Sequence, residues 1–323
     1  MSKKRNGEGV KAMSADTVKA LTNWYEFTKT HKWPTFFPPD HGPVRGTIDS
    51  HVHGCVSMVD PLAQAKHASQ AGMKALVFKS SPYPSIEPAR IVNEALEDWA
   101  KPLGITPTTC YGGVVLGTYT GGINVELARA MVERGCKVIW FPVLTSAHHF
   151  MKTRNMSLEE AKKAGVYVLD NGKLIPQALE IIDLAVKSDI ALSFGHLSLE
   201  EMEALADEVH SRNFTKALID HPFNPVTGLS VSDMVKMAKK GININFTYFE
   251  ISPYCGVSAP QMVEAIRAVG IEKTILSSDT ARVISPDSVE CMRLMAEMLN
   301  VFDFDKKMIT QVMSTNPSRL LNI

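Results

Sequence analysis

The stretch Thr47–Cys55, TIDSHVHGC, ends an apolar, β-branched run in two histidines one residue apart. Successive strand side chains alternate between faces, so His51 and His53 point the same way, about 7 Å apart along the strand. A polar pair aimed at one spot needs a partner there, and the rest of the chain has to supply it.

Outward from this run, short apolar segments alternate with helix-like ones as far as the C-terminus. The pattern predicts strands over Gly46–His53, Ala75–Lys79, Thr108–Leu116, Lys137–Val143, Ile190–His196, Ala217–Asp220, Ile242–Thr247 and Thr274–Ser277. Between them lie amphipathic segments such as INVELARAMVERG, PQALEIIDLAVKS and SLEEMEALADEVHSR. Several start at Ser, Asp or Pro and stop near Gly, the usual helix boundaries. Ser198 stands three residues before Glu201, the spacing of a capping box. Strands alternating with helices imply parallel β-α units. Eight of them predict an α/β fold of the (β/α)8 TIM-barrel type over 41–323, in preference to an open doubly wound sheet.

Two segments fall outside the repeat. Residues 1–40 join a polar tail, a helix-like stretch and the proline-rich, aromatic HKWPTFFPPD. This N-terminal extension reads as a strap over the barrel bottom, a homo-oligomer contact or a lid. The second, 144–175, is a long insertion after strand four, on the side where barrel active sites open.

Bulk composition excludes several classes. Lys plus Arg equals Asp plus Glu at 34 each, so nothing marks the chain for nucleic acid or an anionic membrane. No apolar run approaches the length of a membrane span, and MSKKRNGEGVK has no apolar segment behind its charges, unlike a secretory signal. The five cysteines are scattered, odd in number and without a C-x-x-C, which fits a reducing, cytoplasmic setting. There is no G-x-S-x-G elbow, phosphate loop, H-E-x-x-H or G-x-G-x-x-G.

The partners of the opening pair stand at the ends of other strands. ALVFKSS carries Lys79, IALSFGH His196, ALIDHP His221 and TILSSDT Asp279. Strand C-termini of a barrel converge on one cavity. Four imidazoles, an amine and a carboxylate meeting there describe a site for one or two divalent metal ions.

In these residues the chain resembles the amidohydrolase superfamily of metal-dependent barrels. That family has H-x-H on strand one, single histidines on strands five and six, and an aspartate on strand eight. His51, His53, His196, His221 and Asp279 match those positions in order, and TNPSRLLNI is similar to the family's N-P-A-R-L-L ending. The resemblance covers about residue 44 to 323 and implies a hydrolase in which metal-activated water attacks an ester, amide or related bond of a small molecule. It implies an inner site of His51, His53 and Asp279, with Lys79 as a further candidate, and a second of His196 and His221. Asp279 would hold the water and shuttle its proton; His221 would be a free base if a single metal binds. Zn, Fe or Mn suits such ligands.

The chain departs from that pattern on strand four, KVIWFPVLTSAHH, which ends without the lysine or glutamate that often bridges two metals. Lys79 on strand two is instead open to being an amine ligand, a carbamate or a substrate-binding cation. Deprotonating a lysine at neutral pH costs about 4–5 kcal/mol, which a metal site worth about 10–16 kcal/mol absorbs. The chain is here similar to a small branch of the superfamily with a lysine ligand and an oxygen-activating diiron centre, so a nonheme diiron monooxygenase is the alternative. A non-catalytic metal-binding barrel is the third. His148, His149 and Arg282 are candidates for holding substrate, as are Lys152 and Arg154. Glu250 reads as a supporting carboxylate or a loop charge. Asp49, on the parity of His51 and His53, reads as a residue that orients them.

Overall fold

The computed structural model describes residues 42–54, 60–280 and 285–323. The strands are β1 (Ile48–His53), β2 (Ala75–Lys79), β3 (Thr109–Val115), β4 (Val138–Trp140), β5 (Ala191–Ser193), β6 (Ala217–Asp220), β7 (Asn243–Thr247) and β8 (Thr274–Ser277). They form one sheet in sequence order with every pairing parallel. The sheet closes on itself: Val52 bridges Thr280 in parallel, Asp279 N donates to His51 O at 2.9 Å, and His53 N donates to Thr280 O at 3.2 Å. The (β/α)8 barrel expected from the repeat is the fold of the described residues. The proposed N-terminal extension, 1–40, lies outside them.

Strand alternation sorts side chains into two layers. Ile48, Ala75, Val77, Val115, Val138, Ala191, Leu218 and Ile275 fill the barrel interior, closed from below by Leu320 and Leu321 of the helix Asn316–Leu321. The intervening Leu76, Phe78, Leu192, Ile219, Ile244 and Leu276 face the helical shell. The helices start where the sequence says they should. Ser157, Ser198, Ser230 and Ser258 each cap a helix reciprocally with the side chain three residues on. Among the described residues no helix is long and apolar enough to cross a membrane.

One glycine shapes the interior. A Cβ on Gly113 would come within 2.4 Å of the Trp140 ring and 2.3 Å of Val138 O. Glycine there lets the indole of β4 lie across the barrel, which accounts for part of the glycine-rich YGGVVLG.

The insertion after β4 is ordered as two helices, Ala147–Arg154 and Leu158–Ala164, then a hairpin pairing Leu169–Asp170 with Lys173–Leu174. Ser146 caps the first helix by accepting from His149 N, and its hydroxyl donates to His196 O at 2.6 Å, pinning the insertion to the end of β5.

β1 corrects one expectation. Its register with β2 advances three residues, Asp49 to Val52, while β2 advances two, Leu76 to Phe78. That bulge breaks the alternation, so Asp49 does not share the inward face of His51 and His53. Its carboxylate accepts from His51 N, Ser278 N and Ser288 Oγ. It ties β1 to β8 and the outer helix Ser288–Val301 and leaves the imidazoles to another acid.

Candidate metal centre

The bulge places His51 and His53 together at the inner C-terminal end of β1, their ring centroids 5.6 Å apart. Lys79 ends β2 opposite His53. On the far side, the chain leaves β5, β6 and β8 through left-handed residues: Gly195 (φ +62°), His221 (φ +38°) and Asp279 (φ +49°). A side chain on Gly195 would sit 2.3 Å from Phe141 O, so only glycine allows that turn. His221 and Asp279 hold a conformation that costs a non-glycine residue roughly 1–2 kcal/mol. These turns bring His196, His221 and Asp279 over the barrel mouth.

The polar atoms meet closely. Asp279 Oδ1 lies 3.2 Å from His51 Nε2 and 3.1 Å from His53 Nε2. Lys79 Nζ is 2.9 Å from His51 Nε2, and among the described residues no carboxylate oxygen pairs with it. His196 Nε2 and His221 Nε2 face one another at 3.2 Å. Among the described residues, His51, His221 and Asp279 each present a donor atom within 4.8 Å of the other two. Two atoms bound to one ion at about 2.1 Å stand about 3.0 Å apart at right angles and about 3.4 Å apart in a tetrahedron. The 3.1 and 3.2 Å separations of Asp279 Oδ1 from His53 and His51 fall on the edges of such a polyhedron, with His221 set wider, so the donor types and their grouping suit a divalent metal.

Protonation suits the same reading. Burial holds His196 well below the ordinary imidazole value, with the charges of His221 and Lys79 adding to it. Burial likewise takes His221 down to about 4. Neutral imidazole is the form that binds metal. Burial lowers the Lys79 amine against the pull of Asp220 and Asp279. Burial would raise Asp279, but the charge of His51 and the hydrogen bond from His53 outweigh it and hold it an anion.

The residue that sequence reasoning missed is Asp220. Its Oδ1 lies 3.2 Å from His51 Nδ1 and accepts from Asn245 Nδ2 at 2.6 Å. Its Oδ2 accepts from Trp140 Nε1 at 3.0 Å and Ser193 Oγ at 2.6 Å. Ser277 Oγ donates to Asn245 Oδ1, so one polar layer from β4 to β8 floors the site. Burial opposes the Asp220 charge, but His51, Lys79 and His221 outweigh it and keep the carboxylate well below its usual range. A carboxylate on the far nitrogen of an imidazole sets which nitrogen is left free. The available signal was parity: Leu218 faces inward, hence so does Asp220, and the left-handed turn at His221 lets both neighbours face the site.

The other candidates divide. His149 Nδ1 lies 2.8 Å from His196 Nδ1 and the two rings stack at 5.1 Å, so His149 joins the centre through His196. His148 Nε2 is turned to Val226 O at 2.9 Å. Glu250, pushed up to about 8 by burial, accepts from Thr247 N and Phe223 N at 2.6 Å each. It caps the turn after β7 and ties down the loop that follows His221. Lys152 and Arg154 are exposed on the insertion. Arg282 lies outside the described residues.

The fold and the site define a class, a closed (β/α)8 barrel with a candidate His/Lys/Asp metal centre at its C-terminal mouth. Within it the chain belongs to DUF6282, a family of unknown function, whose pattern it matches over residues 46–245. The barrel is similar to a solved amidohydrolase from Pseudomonas aeruginosa, at 12% identity and TM-score 0.58 over 88% of this chain and 98% of that one. It is similar to the probable dipeptidase PvdM from the same organism, at 12% identity and TM-score 0.56 over 94% and 98%. The TatD homolog YJJV of Escherichia coli K12 gives 14% identity and TM-score 0.54 over 87% and 99%. At these identities the likeness is one of fold. No curated protein matches the sequence.

Proposed function

We propose that the chain is a metal-dependent hydrolase of the amidohydrolase type, acting on an ester, amide or related bond of a small molecule. The observation that carries this is the set of 2.9–3.2 Å separations among His51, His53, Lys79 and Asp279, beside the facing His196 and His221. One or two ions of Zn, Fe or Mn would be held by these six residues. A bound divalent ion supplies a water acidified from a pKa of 15.7 to about 7. Asp279 turns one oxygen to His51 and His53 and keeps the other to take a proton from attacking water and return it to the leaving group. Asp220 holds His51 so that Nε2 faces the centre. His148 and His149 sit on the insertion side, where a substrate would enter.

One observation favours a second reading, a nonheme diiron monooxygenase. β4 ends in Trp140 and offers neither lysine nor carboxylate, and an amine is brought beside His51 from β2 instead. Turnover of an ester and amide library by zinc-loaded and iron-loaded protein, with and without oxygen, separates the two. Oxygen-independent turnover with zinc is expected. A strict need for iron, oxygen and a reductant would replace the hydrolase by the oxygenase, and stoichiometric metal with no turnover would favour a non-catalytic metal-binding barrel.

His149 is a positioning residue in this account. For His196 to offer the lone pair of Nε2, its Nδ1 must carry the proton and donate it to His149 Nδ1. His149→Ala is expected to weaken metal affinity about 10–100-fold. His149→Asn, which restores an acceptor near the same point, should recover most of that. Equal affinity in all three proteins, measured by titration with zinc, would contradict the role.

A further inference from the structure

An imidazole that offers a metal the lone pair of Nε2 carries its proton on Nδ1 and is fixed by an acceptor there. His51 has Asp220 beside its Nδ1, and His196 has His149. For His221, the polar atom that meets Nδ1 among the described residues is the hydroxyl oxygen of Thr227, at 3.4 Å. Thr227 is buried and stands six residues further along the loop that His221 opens, HPFNPVTGLS over 221–230. A separation of 3.4 Å is at the long end for a hydrogen bond, so the contact depends on where the loop carries that hydroxyl.

The loop is fastened from three sides. Asn224 N donates to His221 O at 2.9 Å, Gly228 N to Asn224 O at 2.7 Å and Leu229 N to Pro222 O at 2.9 Å, which closes the loop on itself. Glu250 accepts from Phe223 N at 2.6 Å and ties its start to the turn after β7. From the insertion, His148 Nε2 donates to Val226 O at 2.9 Å, so the residue directly before Thr227 is held by the helix Ala147–Arg154. That helix is itself pinned to β5 where Ser146 Oγ donates to His196 O. Adjacent residues of one helix therefore reach both histidines of the second site. His149 meets His196 directly, and His148 reaches His221 by way of Val226 and Thr227.

We propose that Thr227 is the positioning residue of His221, and that His148 sets Thr227 in place through the Val226 carbonyl. The inference rests on the metal reading of the centre and is independent of the reaction carried out there. Without an acceptor at Nδ1 the His221 ring is free to carry its proton on Nε2, which removes the lone pair a metal needs. His148, with its Nε2 committed to a carbonyl, then serves the centre by holding the loop and not by holding substrate.

Zinc titration of the chelator-stripped chain tests this, with the melting of each metal-free variant as a check on the fold. Thr227→Val keeps the branched shape and deletes the hydroxyl; zinc affinity is expected to fall about 10–100-fold. Thr227→Ser, which keeps the hydroxyl, should recover most of that loss. His148→Ala should weaken binding in the same direction, and His148→Gln, whose amide can donate to the same carbonyl, should restore it. In the Thr227→Val background His148→Ala should add little, because both residues act through one contact. Wild-type affinity in Thr227→Val overturns the proposal and leaves the centre standing. So does a Thr227→Ser chain as weak as Thr227→Val, or losses at the two positions that simply add. A wild-type chain that binds no zinc overturns the centre, and this inference with it.

Discussion

Replacing Asp220 by alanine is expected to destabilise the barrel by about 3–5 kcal/mol and to abolish tight metal binding together. Three donors lose their acceptor at once, Trp140 Nε1, Ser193 Oγ and Asn245 Nδ2, and all are buried. An unmet buried donor costs about 1–3 kcal/mol. Some of that is recovered if water enters the space left by the carboxylate. The loss is a large part of the roughly 5–15 kcal/mol that separates folded from unfolded chains, and the melting temperature should fall by roughly 10 °C. Asp220→Asn separates the two roles. It keeps the shape of the layer, so the fall in Tm should be smaller, but a neutral amide no longer sets a negative charge 3.2 Å from His51 Nδ1. Metal affinity should then still drop about 10–100-fold. Thermal unfolding and zinc titration of both variants check this; an Asp220→Ala protein with wild-type Tm would remove the layer from the account.

The second large effect is expected at Lys79. The residue is 1% exposed, and its amine lies 2.9 Å from His51 Nε2 and 5.8 Å from the centre of the Trp140 ring. Lys79→Met preserves length and apolar bulk while deleting the nitrogen. Metal affinity is expected to fall at least about ten-fold, the loss of one donor from a site worth about 10–16 kcal/mol in all. Tm of the metal-free protein should hold or rise, because a buried amine that pairs with no carboxylate among the described residues is replaced by a thioether. A carbamate would add dependence of metal binding on bicarbonate. Full metal affinity in Lys79→Met would make Lys79 a substrate contact and weaken the case for a centre specialised around an amine.

The barrel was legible because its signal is repeated. Eight apolar runs between helix-like segments leave little freedom once parallel strands must be connected by helices. The strand-end residues were legible for the same reason: the C-terminal ends of parallel strands converge, so His51, His53, Lys79, His196, His221 and Asp279 could be grouped without coordinates. What sequence could not show were breaks in the two-residue period. The bulge between Asp49 and Val52 turned Asp49 outward although it lies two residues before His51. The left-handed turn at His221 put consecutive residues, Asp220 and His221, on the same site. His148 and His149 looked equivalent as neighbours in a loop. Capping of their helix by Ser146 sends one to Val226 O and the other to His196.

The central claim is that the strand-end residues form one metal centre, and metal stoichiometry tests it most directly. Chain purified without added metal, stripped with chelator and titrated with zinc, is expected to bind one to two equivalents. His51→Ala/His53→Ala is expected to lose at least the inner equivalent while the barrel keeps its far-UV circular dichroism and a cooperative melt. A double variant that binds as much zinc as wild type, or a wild-type chain that binds none, would contradict the account.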